Sequence, residues 1–562
     1  MRRIFEKIKL VDFDIITTFL LTFVFLSISL TSALFLIGVN ITNFHFLVFL
    51  LFSSFITYII ISNKSDKFQR NKIIINIMLS ICILFFTIMI ANVFYDNTWD
   101  GNTYHKEMIG LMKNGMNPVY NSESGDIWVQ HYARAVETFS AVIYSFTGNI
   151  ESGKALNFIF ILILFAQIIK FGIKRNKNIV AILCLAIVVA LNPISIVQST
   201  TYYVDGIFAN VLFFIMLLLL DFALSKKICF KTLKGYWLAM LIVICINIKF
   251  TALLICTMFI GIFCLYYLYK ANLNKKFWEC FKKMFIYFLI VYFFAIVIVG
   301  ESVYVKNYIE YGHPFYPLKG ENTGVDIVTG NEPAGLENYS HIKKFVYTLF
   351  SKTYTWYDKK PELKVPFSVY RSEFESMQYA DVRIGGFGPL YSGILLISLP
   401  IIFYYIIKKI LKKEKSAILL VLFLLAEVLP IPILPVVWQL RYYPQLYLLP
   451  ISAIILILED KQGIIKKLYS YIILLTLLTN ILLFVPIIFE HFKYSVKVNK
   501  QLIYLYEQSQ VKDLIVSVED CPNAGSRYNL LDKNINYKFL NEKMDNGEPM
   551  YYRFFYRLEE RK

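Results

Sequence analysis

Stretch after stretch of this chain, most of them roughly 17 to 27 residues long, carries almost no charge, a length that matches the roughly 30 Å hydrocarbon core of a bilayer crossed as a helix. We read about thirteen of them, at 13–39, 44–62, 73–94, 154–173, 178–194, 204–224, 236–249, 251–269, 284–301, 386–407, 416–437, 443–458 and 468–488. Of 562 residues, 57% are hydrophobic and 17% charged, whereas a soluble domain carries about 25% charged residues. The pattern excludes a soluble enzyme, a DNA-binding protein and a secreted disulfide scaffold. The expected fold is an all-α polytopic membrane protein.

The net charge of +17 is placed by a rule. The N-terminus (MRRIFEKIK) is basic, and so is every second loop: 62–72, 172–178, 225–234, 269–283, 408–415 and 459–467. Lysine and arginine in short loops stay cytoplasmic. The excess charge therefore sets orientation and meets anionic membrane lipids, and no nucleic-acid partner is expected. The first apolar block lacks a small-residue cleavage site and is expected to stay in the chain. The protein is thus expected to be multi-pass in the cell membrane, with a cytoplasmic N-terminus and an extracytoplasmic C-terminus. It divides into membrane helices 1–94, an outer segment 95–153, helices 154–301, an outer loop 302–385, helices 386–488 and an outer tail 489–562. The polar mass lies on one face, which is where chemistry is expected.

Cysteines agree with this division. Cys82, Cys184, Cys229, Cys245, Cys256, Cys264 and Cys280 fall in membrane or cytoplasmic segments, and Cys521 alone is outside, so no disulfide framework is expected. No CxxC or HxxxH spacing suggests zinc. The tail opens helix-like (HFKYSVKVNKQLIYLYEQ) and holds a strand-like LIVSV at 514–518, a small α/β segment that we expect to pack on the outer loops.

Candidate chemistry begins where the third stretch ends, in YDNTWDGNTYHKEMIGLMKNGMNPVY (95–120). Asp96 and Asp100 stand near the membrane surface, followed by Tyr104, His105 and a short helix in the interface plane that stops at Gly115. Two readings stay open. A carboxylate there can take a proton from an acceptor hydroxyl, or Asp100 caps the helix and Asp96 is a solvated boundary residue. Asp205, in QSTTYYVDGIFAN, opens the sixth stretch. With Asp96 and Asp100 it places three acids at one depth, able to bind a divalent cation such as Mg2+ or Mn2+ or to position a base and a sugar.

Lys249 (NIKFTALL), Arg383 (DVRIGGFGPLYSG) and Arg441 (WQLRYYPQLYLLP) are cations that interrupt apolar sequence at the same rim. They suit a phosphate or snorkel to headgroups. Glu427 lies inside the eleventh stretch, before Pro430, Pro432 and Pro435. Helices break in a membrane only where they line protein or a cavity, so Glu427 is expected at a cavity floor, paired with Lys249 or Arg441. The loop 302–385 is long enough to cover a site, and its Tyr308, Tyr311, Phe315 and Tyr316 offer flat faces for sugars.

Taken in order, WDGNTYHKEMIGLMKNGMNPVY, QSTTYYVDGIFAN, NIKFTALL, YGHPFYPL, RIGGFGPL and LRYYPQLYLLP resemble the GT-C superfamily of polytopic glycosyltransferases, which includes protein O-mannosyltransferases and lipid A aminoarabinose transferases. The resemblance implies transfer of a sugar from a polyprenyl-phosphate or polyprenyl-diphosphate donor to an extracytoplasmic glycan, lipid or protein acceptor. It implies Asp100 as base, with Asp96 as second choice, and Lys249 and Arg441 on the donor phosphate. Two features differ: the first large outer loop follows the third stretch rather than the first, and the two acids are separated by three residues rather than adjacent. A polysaccharide polymerase or ligase, and a transporter or flippase of a lipid-linked glycan, are the competing readings. A transporter would show paired repeats and midplane substrate groups.

Overall fold

The structure is a computed structural model. It describes residues 11–62, 67–121, 124–175, 177–225, 228–273, 275–320, 330–414, 416–460, 463–518, 525–540, 544, 546–551 and 554–561. The basic N-terminal segment, parts of the basic loops and Cys521 lie outside the described residues. The described cysteines are free.

Helices dominate, and the fold is that of a polytopic membrane protein. Among the described residues, nine helical stretches are long and apolar enough to cross a membrane. Their outer faces carry Phe55, Met78, Phe86, Ile290 and Leu475, each about 60% exposed or more, a band that water would penalise and hydrocarbon would not. Each of the thirteen expected stretches contains a helix, but four helices are short: Ile179–Ala190, Leu233–Ile246, Ser416–Val428 and Pro444–Glu459.

The shortening has local causes, and all four helices are cut at the same end of the bundle. Ile179–Ala190 stops before Asn192, which caps the separate turn Pro193–Gln198. Leu233–Ile246 ends at Asn247, whose side-chain amide takes up the carbonyls of Val243 and Ala295 (both 2.9 Å). Ser416–Val428 ends just before Pro430, where a ring without an N–H cannot continue the ladder. His341 Nε2 then donates to the freed Ile431 carbonyl (2.8 Å). The helix Leu448–Glu459 is preceded by two 3-10 turns, Leu440–Tyr442 and Pro444–Tyr447. At Asn247 and Ile431 the freed carbonyls are met by protein side chains, as a non-aqueous surrounding requires.

The polar segments meet at that end. Asp100 leads into a π-helical turn, Gly101–His105, and then the helix Lys106–Lys113. Gly115 follows with φ +105°, a conformation that glycine adopts without cost. This helix does not lie in a membrane interface as expected. Met108, Ile109 and Met112 are fully buried against the helix Ala135–Thr147, because the C-terminal tail covers it from the other side.

The tail begins as the helix Val485–Val511. A four-stranded sheet follows, from β1 (Lys512–Val518), β2 (Lys538–Leu540), β3 (Glu548–Pro549) and β4 (Phe554–Glu560). The order is β2-β1-β4-β3, with β1 parallel to β2 and antiparallel to β4. Leu514, Val516, Leu530, Phe554 and Tyr556 form a small core with Val498, Leu502 and Leu505 of the helix. A short helix, Arg527–Leu531, projects from the sheet onto Lys106–Lys113.

The contact is close because Gly110 has no side chain. A Cβ built there would lie 2.0 Å from Cζ of Tyr528. We expect Gly110→Ala to cost roughly 1–3 kcal/mol by overpacking and to undock the tail. Limited proteolysis of the purified protein should then cut within 512–561 faster than in the wild type; equal rates would mean the helix packs elsewhere.

Candidate functional site

Asp205 stands at the first residue of its helix and is 2% exposed. It pairs with the Lys249 ammonium and lies 3.5 Å from Arg441 Nη1, and Gln198 Nε2 donates to it (3.2 Å). Lys249 sits 3.8 Å from the centre of the Tyr442 ring, and Arg441 lies between the rings of Tyr203 and Tyr442 at 5.0 and 5.2 Å, favourable positions for a cation over an aromatic face. From Arg441 the chain of charges continues outward. Its Nη1 is 2.7 Å from Asp381 Oδ1, and Arg383 grips Asp381 Oδ2 through Nη2 (2.5 Å) and Nε (2.8 Å). Arg383 in turn covers the Tyr357 ring at 4.0 Å. Lys249 and Arg441 are buried, while Asp381, Arg383, Tyr357 and Tyr442 are half-buried, so the outer part of this ladder is reachable.

Asp100 faces the same ladder and is half-buried. Tyr104 donates its hydroxyl to Asp100 Oδ2 (3.1 Å). The loss of water around Asp100 and the neighbouring Asp381 charge raise its pKa above the ordinary carboxylate value, and Arg441, His105 and the Tyr104 hydrogen bond pull the other way. A carboxylate held this way is a stronger base than one in water. Behind it, the His105 ring packs on Tyr104 with centroids 4.2 Å apart, and its Nδ1 pairs with Glu137 Oε1. Burial opposes a charge on His105, but Glu137 outweighs it and holds the imidazole pKa above its usual value.

Four sequence-predicted residues therefore come together with Asp100: Asp205, Lys249, Arg441 and Arg383, with Tyr104 on the base. Three expectations need correction. Asp96 is neither a base candidate nor a solvated boundary residue. It is 1% exposed, its Oδ1 accepts from the Thr98 N–H (2.7 Å) and hydroxyl (2.6 Å), and its Oδ2 accepts from the Tyr202 N–H (2.6 Å). With both oxygens engaged, Asp96 does not complete a divalent-cation set with Asp100 and Asp205, and no group of three metal-binding side chains occurs among the described residues. His105 is 1% exposed, so it supports the base rather than touching a substrate. Glu427 pairs with neither Lys249 nor Arg441. It is fully buried and neither carboxyl oxygen has a hydrogen-bond partner.

A second charged cluster, which the sequence reading missed, fixes the first outer segment in place. Glu151 is fully buried and bonds Lys106 Nζ (2.6 Å), Lys154 Nζ (2.5 Å), Asn529 Nδ2 (2.9 Å) and the Asp96 N–H (3.2 Å). Lys106 also donates to Asn102 and Asn529 (both 2.9 Å). Asp381, Tyr357, Glu137 and Gln439, whose Oε1 accepts from Arg441 Nε (3.2 Å), were missed as well. Asp381 and Gln439 each stand two residues before an arginine that the sequence did flag, and Glu151 and Lys154 are charges at the mouth of an apolar stretch. Those were the available signals.

An apolar cleft lies roughly 20 Å along the helix from Asp205, lined by Leu219, Ala223, Phe259, Phe263, Leu419 and Phe423, on the helices Asp205–Leu224, Phe250–Leu273 and Ser416–Val428. No protein-family model, curated protein or solved structure matches this chain, so its geometry alone bears on function.

The tail adds a titratable contact. Asp532 accepts from the Tyr144 hydroxyl (2.5 Å) and the Ile150 N–H (2.7 Å). Burial raises its pKa to about 7, those two hydrogen bonds notwithstanding. A carboxyl whose folded pKa lies above its unfolded one near 4 binds more protons when folded, so its contribution to stability falls as pH rises from about 4 to about 7. We expect Asp532→Asn to remove this fall and to raise the melting temperature above pH 7 by several degrees. A variant less stable than wild type at pH 8 would show that the ionised carboxylate is the favoured form.

Proposed function

We propose that this protein is a membrane glycosyltransferase of GT-C type that moves a sugar from a polyprenyl-phosphate-linked donor to an acceptor on the face where its polar segments meet. The observation that carries this reading is the half-buried Asp100 beside the Arg441–Asp381–Arg383 ladder. A base and a set of cations at one rim of a helical bundle suit a donor with its phosphate at the membrane surface and its lipid in hydrocarbon.

In this mechanism the acceptor hydroxyl gives its proton to Asp100 as its oxygen bonds to the anomeric carbon. The bond from that carbon to the phosphate oxygen breaks, and its electron pair stays on the phosphate. Arg441 and Arg383 stabilise the charge there, and fixed cations aimed at developing charge are among the most effective catalytic groups. Asp381 now occupies both guanidinium groups, so the donor phosphate takes its place on them. Lys249 stays with Asp205 and holds the floor of the site. In this reading thirteen helices cross the membrane, the four short ones reaching only to the site, and the basic loops place the polar segments outside the cytoplasm.

We expect Asp100→Asn to lower transfer by roughly 10²- to 10⁴-fold without lowering the melting temperature, because it removes a carboxylate whose ionised form is disfavoured by burial. Mass spectrometry of envelope glycans from cells with the wild type, with Asp100→Asn and with no protein reads the outcome. A wild-type product in the variant reassigns the base. The acid side of the pH–rate profile should fall below a pKa higher than that of a free aspartate. Asp381→Asn should strengthen binding of polyprenyl phosphate several-fold; weaker or equal binding would mean that Asp381 does not compete with phosphate.

A further inference from the structure

The acid that the ladder leaves aside is Glu427. It is the penultimate residue of the helix Ser416–Val428 and is fully buried. No described group hydrogen-bonds either of its carboxyl oxygens, and none forms an ion pair with it. An ionised carboxylate deprived of both water and a counter-charge costs several kcal/mol, and intramembrane acids of this kind mark ion or proton sites.

Glu427 is not the only orphan there. Gln445 lies against it, with Nε2 donating to the Glu427 carbonyl (3.4 Å), and the Gln445 amide oxygen is buried without a partner. The Tyr447 hydroxyl, two residues on, is also buried without a partner, as is the Ser392 hydroxyl. Tyr391 ties these pieces together. Its hydroxyl donates to Leu446 O (2.5 Å), its ring lies 6.0 Å from that of Tyr447, and it is within electrostatic reach of Glu427. Among the described residues, the two Glu427 carboxyl oxygens and the Gln445 amide oxygen are thus three buried acceptors without partners, on the end of Ser416–Val428 and the adjoining turn Pro444–Tyr447. Oxygen-only ligands select a hard cation. One carboxylate neutralises one positive charge, so a divalent ion would leave a buried charge uncompensated.

We infer that Glu427, with the Gln445 amide oxygen, forms a site for a monovalent alkali cation such as Na+. The inference does not depend on the glycosyltransferase reading. The site is joined to the ladder through the short segment between Arg441 and Gln445, so cation binding would brace the turn that presents Arg441.

Dicyclohexylcarbodiimide, which modifies protonated carboxyl groups in apolar surroundings, tests this on the purified full-length protein with peptide mass spectrometry as the readout. In choline chloride the Glu427 peptide should be modified, and NaCl at equal ionic strength should slow modification at least several-fold. Gln445→Leu should keep the modification and lose most of the Na+ protection. In parallel, NaCl in place of choline chloride should raise the melting temperature of the wild type and not of Glu427→Gln. Modification at one rate in Na+, K+ and choline would identify a site for a proton alone and overturn the inference. Absence of modification in choline would overturn it too, since a carboxyl released by its cation must take up a proton.

Discussion

Asp205 sits at the mouth of an apolar helix with almost no contact with water, so its charge has to be met by protein. Lys249 and Arg441 meet it, and each comes from a place where a helix has stopped. An uninterrupted helix would carry its side chains past that depth and present only apolar residues. The short helices and the charged ladder are therefore one feature. The breaks at Asn192 and Asn247 and the turns at 440–447 let Gln198, Lys249 and Arg441, from three parts of the chain, reach Asp205. Taking away one member of a buried pair typically costs about 3–5 kcal/mol, so the ladder also locks the ends of these helices together.

The Glu151 cluster does the same for the outer segments. Its partners are Lys106 from the first outer helix, Lys154 from the start of the next apolar stretch and Asn529 from the tail, some 380 residues away in sequence. A single carboxylate thereby joins three parts of the chain. The π-helical turn carrying Asp100 lies between Asp96, fixed by Thr98 and Tyr202, and Lys106, fixed by Glu151. The position of the candidate base is set by two buried charges on either side of it and by a tail that closes over the second. This is why the tail carries a core of its own: it must be rigid enough to deliver Asn529 and Tyr528 to a fixed place.

Much of this arrangement was legible in the sequence, and the limits have physical reasons. Apolar runs reveal helices because hydrocarbon tolerates little else, and charges that interrupt them are costly enough to signal a role. Asp205, Lys249, Arg383 and Arg441 were visible for that reason. Helix ends were less visible. Asn247 and Asn192 act as stops through side-chain hydrogen bonds that a hydropathy pattern does not register, so 178–194 was read past the helix end at Ala190 and 236–249 past the end at Ile246. Asp381, Glu137 and Glu151 lie in polar segments, where an acid is unremarkable until its burial is known. Asp96 misled for the opposite reason: its distance from Asp100 suggested a pair, but its backbone turns the carboxylate onto Thr98 and Tyr202.

Four acids of similar chemistry thus occupy four different situations within one end of the bundle. Glu151 and Asp205 are saturated by cations and hold structure. Asp100 is half-exposed, with one oxygen on Tyr104 and a guanidinium near enough to steady its charge without neutralising it by contact. Neither carboxyl oxygen of Glu427 has a partner among the described residues. A carboxylate that already has its cations gains nothing by accepting a proton, whereas one with partial compensation can exchange a proton with a bound hydroxyl. One without compensation must acquire a positive charge from outside the protein. Assigning roles by the degree of compensation, rather than by residue type or spacing, is what separates the base from its neighbours here, and the same criterion sets Glu427 apart as a site of its own.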